Sequence, residues 1–176
     1  MRIRHTKTED LDAIMDIYAY AREFMALTGN PRQWGATGWP PRALIEQDIA
    51  AKKSYVCVDD SDRILAVFYY IYGQDIEPIY AAIEQGAWKD PSPYGVVHRI
   101  ATAEGSKGVG SFCLNWAFEQ SKSEQNRHLR IDTHPDNRVM QHVLQKLGFT
   151  FCGIVHVEED NDPRIAYEKS DKITVL

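Results

Sequence analysis

The stretch EGSKGVGSF, residues 104–112, decides the fold that this sequence predicts. Gly105, Gly108 and Gly110 lie close together in it, with Lys107 between them. Glycines at this spacing let backbone N–H groups approach a ligand closely, and a helix N-terminus adds a partial positive charge. In isolation the pattern favours a plain turn, because glycines before helices are common. The flanking segments must therefore decide between a phosphate-binding loop and a turn.

The loop lies between a predicted strand and a predicted helix. VVHRIA, residues 96–101, is rich in β-branched residues and predicts a strand, and GVGSFCLNWAFEQSKSE, residues 108–124, predicts a helix with one apolar face. HLRIDTH, residues 128–134, predicts the next strand. A strand–helix–strand crossover joins parallel strands, so the glycine loop opens a crossover helix.

The rest of the chain supplies further strands and helices around this crossover. We expect a strand at residues 2–5, a helix at 6–27 with Thr8 as its N-cap, and a second helix at 42–51. Residues 54–72 predict a hairpin, and residues 73–95 predict a long connection, called the excursion, with one short helix. Residues 135–148 predict a late helix, and residues 149–169 predict a final hairpin. The order β-α-α-β-β-(insert)-β-α-β-α-β-β predicts an α/β fold with a mixed, twisted sheet of about seven strands flanked by helices. We expect residues 1–176 to form one domain.

Composition limits the classes of protein to which the chain can belong. Its 44% of hydrophobic residues is typical of a globular protein. No apolar run reaches the roughly 20 residues of a membrane helix, and the charged N-terminus MRIRHTKTED lacks the apolar core of a signal peptide. We therefore expect a cytoplasmic protein with no membrane partner. The net charge of −5 argues against nucleic acid as a partner, since that needs a basic surface.

The cysteines and the acidic segments carry no metal-site pattern. Cys57, Cys113 and Cys152 are widely separated, form no CxxC pair and lie among apolar residues, which favours free buried thiols. The acidic turn EEDNDP, residues 158–163, lacks the spacing and the glycine of a calcium loop, so a solvated hairpin turn is expected there. No metal site is predicted.

These features together resemble the GNAT superfamily of acyl-CoA N-acyltransferases. KGVGS, residues 107–111, matches the end of the family's Arg/Gln-x-x-Gly-x-Gly/Ala loop, with Gly108 and Gly110 as the matching glycines. Asp136 and Asn137, followed by a helix that ends in KLGF at residues 146–149, match a later family motif. Two motifs in the correct order and at the correct separation are a far stronger signal than either alone.

The resemblance implies a fold, a cosubstrate and a reaction. The strand at residues 98–102 would carry a bulge and splay from the strand at 129–134, which makes a wedge for the pantetheine arm of acetyl-CoA. The implied reaction moves an acetyl group from acetyl-CoA to a primary amine of a small molecule or peptide by direct attack, and a homodimer is compatible with it. The residues implied to bind the cosubstrate are Ile100, Ala101, Thr102, Ser106, Lys107, Gly108, Val109, Gly110, Ser111 and Asn137.

Two departures from the family pattern concern the loop and the late helix. Gly105 stands where the loop usually begins with Arg or Gln, and Lys107 can compensate only as a point charge. Leu144 stands where many family members have a tyrosine that protonates the leaving thiolate. Proton transfer must then fall to water or to another group, and His98 and Asp132, on the two strands beside the wedge, are the candidate catalytic residues. The alternative for both is a structural, hydrogen-bonded role.

Other interpretations stay open on the sequence alone. A non-catalytic acyl-CoA-binding or sensing module would keep the same fold, and Leu144 is its best support. A nucleotide-phosphate binder is disfavoured because the loop lacks the GK[ST] of a Walker loop. Asn137 can cap its helix as readily as it can touch the cosubstrate.

The binding site for the acceptor amine is predicted to lie along residues 29–41 and 73–94. The sequence of these segments does not identify the acceptor. Large aromatic side chains flank it, and core packing is expected for at least half of them. These side chains are Trp34, Trp39, Trp88 and Tyr94.

Overall fold

The computed structural model describes residues 1–35, 37–124, 126–157 and 162–172. The turn EEDNDP predicted at 158–163 falls mostly on residues 158–161, which lie outside this range. Within the described residues, no group of three or more His, Cys, Asp or Glu side chains could hold a metal ion. In the same part of the chain, no helix has the length and apolar character needed to cross a membrane.

The predicted α/β fold is confirmed. The sheet has the strand order β1-β2-β3-β4-β5-β7-β6. The strands and helices are β1 (Arg2–His5), α1 (Leu11–Leu27), α2 (Arg42–Ala50), β2 (Ser54–Val58), β3 (Ile64–Gly73), β4 (Tyr94–Thr102), α3 (Val109–Gln120), β5 (Asn126–Thr133), α4 (Arg138–Lys146), β6 (Thr150–His156) and β7 (Pro163–Lys172).

The strand pairings follow the predicted connections. β1, β2 and β3 are antiparallel neighbours, as expected of a hairpin with an added edge strand. β4 and β5 run parallel, with Gly95 opposite Leu129 and Val96 opposite Arg130, so the crossover through α3 is confirmed. The final hairpin is also confirmed, since β7 pairs antiparallel with both β5 and β6.

The chain divides into two compact units. The first consists of Met1–Tyr70 with His98–Leu114, and the second of Ile71–Val97 with Asn115–Leu176. The single domain expected over residues 1–176 stays a prediction.

The core of the first unit lies between α1, α2 and the strands β2 to β4. Helical spacing brings Leu11, Ile14 and Tyr18 of α1 to one buried face, where they meet Ile45 of α2. The predicted N-cap at Thr8 is wrong. A 3-10 turn at Thr8–Asp10 precedes α1, because the Asp10 carboxylate accepts the Lys7 N–H at 2.7 Å and turns the chain there.

The core of the second unit includes part of the excursion between β3 and β4. The short helix predicted there is a 3-10 turn, Pro78–Ala82, and it buries Tyr80. The excursion also joins β6, since Glu84 and Ile154 exchange two backbone hydrogen bonds of 2.8 Å. This pairing was not predicted. It requires close backbone approach, because a Cβ on Gly153 would collide with the carbonyl of Glu84.

Candidate active site

The glycine loop leads directly into α3, as its sequence predicts. Gly108 has a left-handed φ of 78°, and its carbonyl accepts the Phe112 N–H at 3.1 Å. A Cβ built on Gly108 meets nothing within 4 Å, so the protein leaves this side of the loop open. The first turn of a helix leaves its N–H groups without intrahelical acceptors, here those of Val109, Gly110 and Ser111. The loop therefore offers several N–H donors to an anion.

The predicted pantetheine-binding segment forms the end of β4. Ala101 is buried in the first core, whereas Ile100 and Thr102 are half-buried. The Ala103 N–H donates to the Leu65 carbonyl of β3 at 2.9 Å. Because N–H groups alternate in direction along a strand, those of Thr102 and Ile100 face the other edge of β4. Two backbone donors are thus directed away from β3.

The bulge predicted in β4 corresponds to a left-handed residue. Arg99 has a φ of 52°, which is rare for a residue with a side chain and breaks the extended backbone. The His98 ring and the Arg99 guanidinium both contact the Tyr69 ring, at 5.9 Å between centroids and 4.5 Å from Cζ to the centroid. Consecutive side chains of a regular strand point to opposite faces, so the alternation is interrupted here.

Asp132, the second candidate catalytic residue, is held by a buried tyrosine. The Tyr80 hydroxyl donates to Asp132 Oδ1 at 2.8 Å, and the Tyr80 carbonyl accepts the Trp88 indole N–H at 2.8 Å. Burial raises the pKa of Tyr80 well above its usual value, and the negative charge of Asp132 raises it further. Tyr80 therefore stays protonated and acts as a hydrogen-bond donor. No pattern in the sequence indicates this pair, since the partners are 52 positions apart.

Asn137 caps α4, which confirms one of its two predicted roles. Its Oδ1 accepts the Met140 N–H at 3.0 Å. Contact with a cosubstrate stays a prediction. Leu144 is fully buried, so an aliphatic core side chain fills the position of the usual tyrosine.

The aromatic side chains near the predicted acceptor segments mostly pack in the two cores. Trp34 packs against the first core and meets Tyr18 edge-on. In the second unit, Trp88 and Tyr94 flank the guanidinium of Arg130, with Cζ 4.2 Å and 3.9 Å from the ring centroids. Core packing is therefore confirmed for at least these three of the four predicted residues.

The three cysteines are free and buried, as predicted. The thiols of Cys57 and Cys113 are hydrogen-bonded to each other, which the sequence did not predict. That bond and burial raise the pKa of Cys113. Burial raises the pKa of Cys152 to about 11. Thiols with raised pKa values are poor nucleophiles at neutral pH.

Comparison with known proteins defines the family. The family model described as the acetyltransferase (GNAT) family matches residues 18–149. This protein therefore belongs to the GNAT acetyltransferase family. A comparison with curated proteins gave no match.

Solved structures agree with this assignment. A GNAT-family acetyltransferase from Streptococcus agalactiae is 34% identical, with a TM-score of 0.83 over 98% of this chain and 96% of that chain. Phosphinothricin acetyltransferase from Sinorhizobium meliloti, in complex with AcCoA, is 12% identical, with a TM-score of 0.59 over 96% of this chain and 87% of that chain. A ribosomal-protein-alanine N-acetyltransferase from Brucella melitensis is 15% identical, with a TM-score of 0.58 over 96% of this chain and 99% of that chain. The last two share the fold alone.

Proposed function

We propose that this protein transfers an acetyl group from acetyl-CoA to a primary amine by direct attack. The observation that carries the proposal is the segment from Arg99 to Ser111, where an interrupted strand, an open glycine turn and a helix N-terminus follow one another in a GNAT-family chain. The complex of the Sinorhizobium meliloti enzyme with AcCoA supports the choice of cosubstrate.

The residues of this segment fit acetyl-CoA. The pyrophosphate carries oxygens that accept several hydrogen bonds each, and the loop of Ser106, Lys107, Gly108, Val109, Gly110 and Ser111 supplies backbone donors together with one cation. The open side of Gly108 leaves room for the pyrophosphate at the backbone. The Thr102 N–H, directed away from β3, suits an amide carbonyl of the pantetheine arm, and the Ile100 N–H suits the thioester carbonyl at the end of that arm. Asn137 would add a side-chain amide contact.

Acetyl-CoA supplies the acetyl thioester that the amine attacks. Polarising a thioester carbonyl needs hydrogen-bond donors placed where negative charge develops. Backbone N–H groups at the interrupted part of β4 meet this need without a titrating side chain. The chain then has to remove one proton from the acceptor ammonium before attack. As the new C–N bond forms and the C–S bond breaks, CoA leaves as a thiolate and takes up, through water, the second proton that the attacking nitrogen loses.

We assign proton removal to His98, because a neutral imidazole can accept a proton from the acceptor ammonium. Its half-buried ring is positioned against Tyr69 on β3. Asp132 is assigned a separate electrostatic role, in which its carboxylate, oriented by Tyr80, stabilises a positively charged amine. A ping-pong route through a cysteine is disfavoured because Cys57 and Cys113 are both fully buried.

A thiol-release assay over a panel of amines, paired with a binding titration of acetyl-CoA, tests the function. Turnover with at least one amine class supports it, and peptide N-termini, polyamines, amino acids and aminoglycosides cover the main amine classes. Tight binding of acetyl-CoA without turnover on any of them would instead support the non-catalytic binding module, which Leu144 at the tyrosine position favours.

A further inference from the structure

The backbone at Arg99 adopts a conformation that its own residue type disfavours. Its φ of 52° lies in the left-handed region, within β4. Arg99 lacks both the freedom of glycine and the short polar side chain with which asparagine stabilises that region. Such strain persists only where surrounding contacts over-determine the conformation, and it is concentrated at functional sites.

Contacts from three other elements hold Arg99 in this conformation. The Arg99 Nη2 donates a hydrogen bond to Asp48 Oδ2 of α2 at 2.6 Å. This ion pair is largely buried, since the Asp48 side chain is 10% exposed and the Arg99 side chain 14% exposed. Tyr69 of β3 lies beneath its guanidinium. The fully buried Tyr18 of α1 donates its hydroxyl to the Arg99 carbonyl at 3.0 Å. We call Tyr18, Asp48 and Tyr69 the Arg99 anchor.

The anchor fixes the direction of one backbone donor. In a trans peptide group the C=O and the N–H point in opposite directions. The Arg99 carbonyl and the Ile100 N–H belong to the same peptide group, so the bond from Tyr18 also sets where the Ile100 N–H points. Counted from Ala103, whose N–H donates to Leu65 of β3, the alternation along the strand turns the Ile100 N–H away from β3.

We propose that Tyr18 and Asp48 are positioning residues that hold the strained peptide group of Arg99 and thereby aim the Ile100 N–H at the thioester carbonyl. The inference rests on the proposed acetyl transfer and names the device that prepares it. Charge-stabilising donors work because they are held in place before the reaction, and a small misplacement weakens them strongly. The anchor supplies that rigidity through groups that never contact the substrate.

Substitution of Arg99 separates positioning from a merely structural role. Arg99→Ala removes the side-chain contacts to Asp48 and Tyr69, and leaves only the Tyr18 bond to the backbone carbonyl, at a residue that avoids positive φ. We expect kcat to fall at least tenfold while the Kd for CoA stays within threefold. Arg99→Gly removes the same contacts but accepts positive φ freely, so it should recover most of the lost kcat. A structural role predicts the reverse order, because glycine further loosens the unfolded chain.

Further variants test the anchor itself. Tyr18→Phe and Asp48→Asn should each lower kcat several-fold with little change in KM for acetyl-CoA, and Arg99→Gly should restore kcat in the Asp48→Asn background. Asp10→Asn is the matched control, since Arg4 and Asp10 form a similarly buried ion pair, with bonds of 2.7 Å and 3.0 Å, outside β4. It should lower thermal stability without lowering kcat.

A second readout keeps this inference separate from the proposed function. The backbone amide resonance of Ile100 should shift in Arg99→Ala and stay near its wild-type position in Arg99→Gly. If the wild type turned over no amine, the acetyl-transfer proposal would fail, and the resonance would still test the anchor. The inference would be overturned if kcat were equal in the wild type and in folded Arg99→Ala. It would also be overturned if the Ile100 amide resonance had the same position in the wild type, Arg99→Ala and Arg99→Gly.

Discussion

Two regions of the molecule are held in place in different ways. The turn between the end of β4 and the start of α3 takes its shape from its own backbone, with Gly108 left-handed and the helix beginning one residue later. The excursion between β3 and β4 is held by side chains and backbone groups of strands far along the chain. Its residues Tyr80 and Lys89 bond to partners 52 and 79 positions away. Local rules therefore describe the first region and cannot describe the second.

The largest expected effects lie at His98 and Asp132, to which separate roles in the reaction are assigned. His98→Ala should lower turnover roughly 100-fold or more, and so should Asp132→Asn, with CoA binding kept intact. Thiol release measures the turnover of each variant, and a titration with CoA checks that binding is kept. Near-wild-type rates in both variants would return these residues to structural roles and leave proton removal to water.

The contact between the excursion and β5 can be tested at Tyr80. Tyr80→Phe keeps the buried ring and removes the donor to Asp132, so the free energy of unfolding should fall by about 2 kcal/mol, as for a hydrogen bond to a charged group. Chemical denaturation measures this loss. Tyr20→Phe serves as control, since that ring is half-buried and stacks on Phe24 in the other unit. An equal loss of unfolding free energy in both variants would show that the hydrogen bond to Asp132 adds no stability of its own.

Acid should weaken the excursion through Asp90. Burial opposes the ionised form of Asp90, but hydrogen bonds from Ser92 and Ser170 outweigh it and lower the pKa to about 2, from an ordinary 3.8. A lowered folded-state pKa gives stability that is present above pH 4 and lost as pH falls through 2, here about 2 kcal/mol. The stability gap between wild type and Asp90→Asn should therefore shrink from pH 6 to pH 2 in urea titrations. A gap that does not change with pH would contradict the assigned pKa.

Much of the fold and part of the site follow from sequence because they depend on neighbouring residues. The glycine turn and the Asn137 cap are such features, since a residue within three or four positions satisfies each. The crossover follows from the strand–helix–strand order of its segments. The left-handed Arg99 is different. Nothing in the letters HRI marks it, because contacts from α1, α2 and β3 impose it.

The late helix shows a smaller failure of the same kind. Gln141 of α4 is a polar residue of a type that is mostly exposed, yet it is buried, and its Nε2 donates to the Pro135 carbonyl at 2.7 Å. A polar residue becomes a core residue when a backbone acceptor is available, and only the folded chain shows that acceptor.

We propose that residues 106–111 bind acetyl-CoA through their backbone. The ligand-induced change in the Tm of glycine variants tests this binding. A ligand at a hundredfold excess over its Kd stabilises the native state by about 2.7 kcal/mol. Gly110→Val should fold, since an added Cβ meets Thr102 at an ordinary 3.8 Å, yet its bulk should block the pyrophosphate.

Gly105→Ala is the matched control, because its φ of 73° imposes backbone strain outside residues 106–111. We expect acetyl-CoA to raise the Tm of the wild type and of Gly105→Ala by similar amounts. The Tm of folded Gly110→Val should not change when acetyl-CoA is added. A full shift in folded Gly110→Val, or no shift in the wild type, would contradict it.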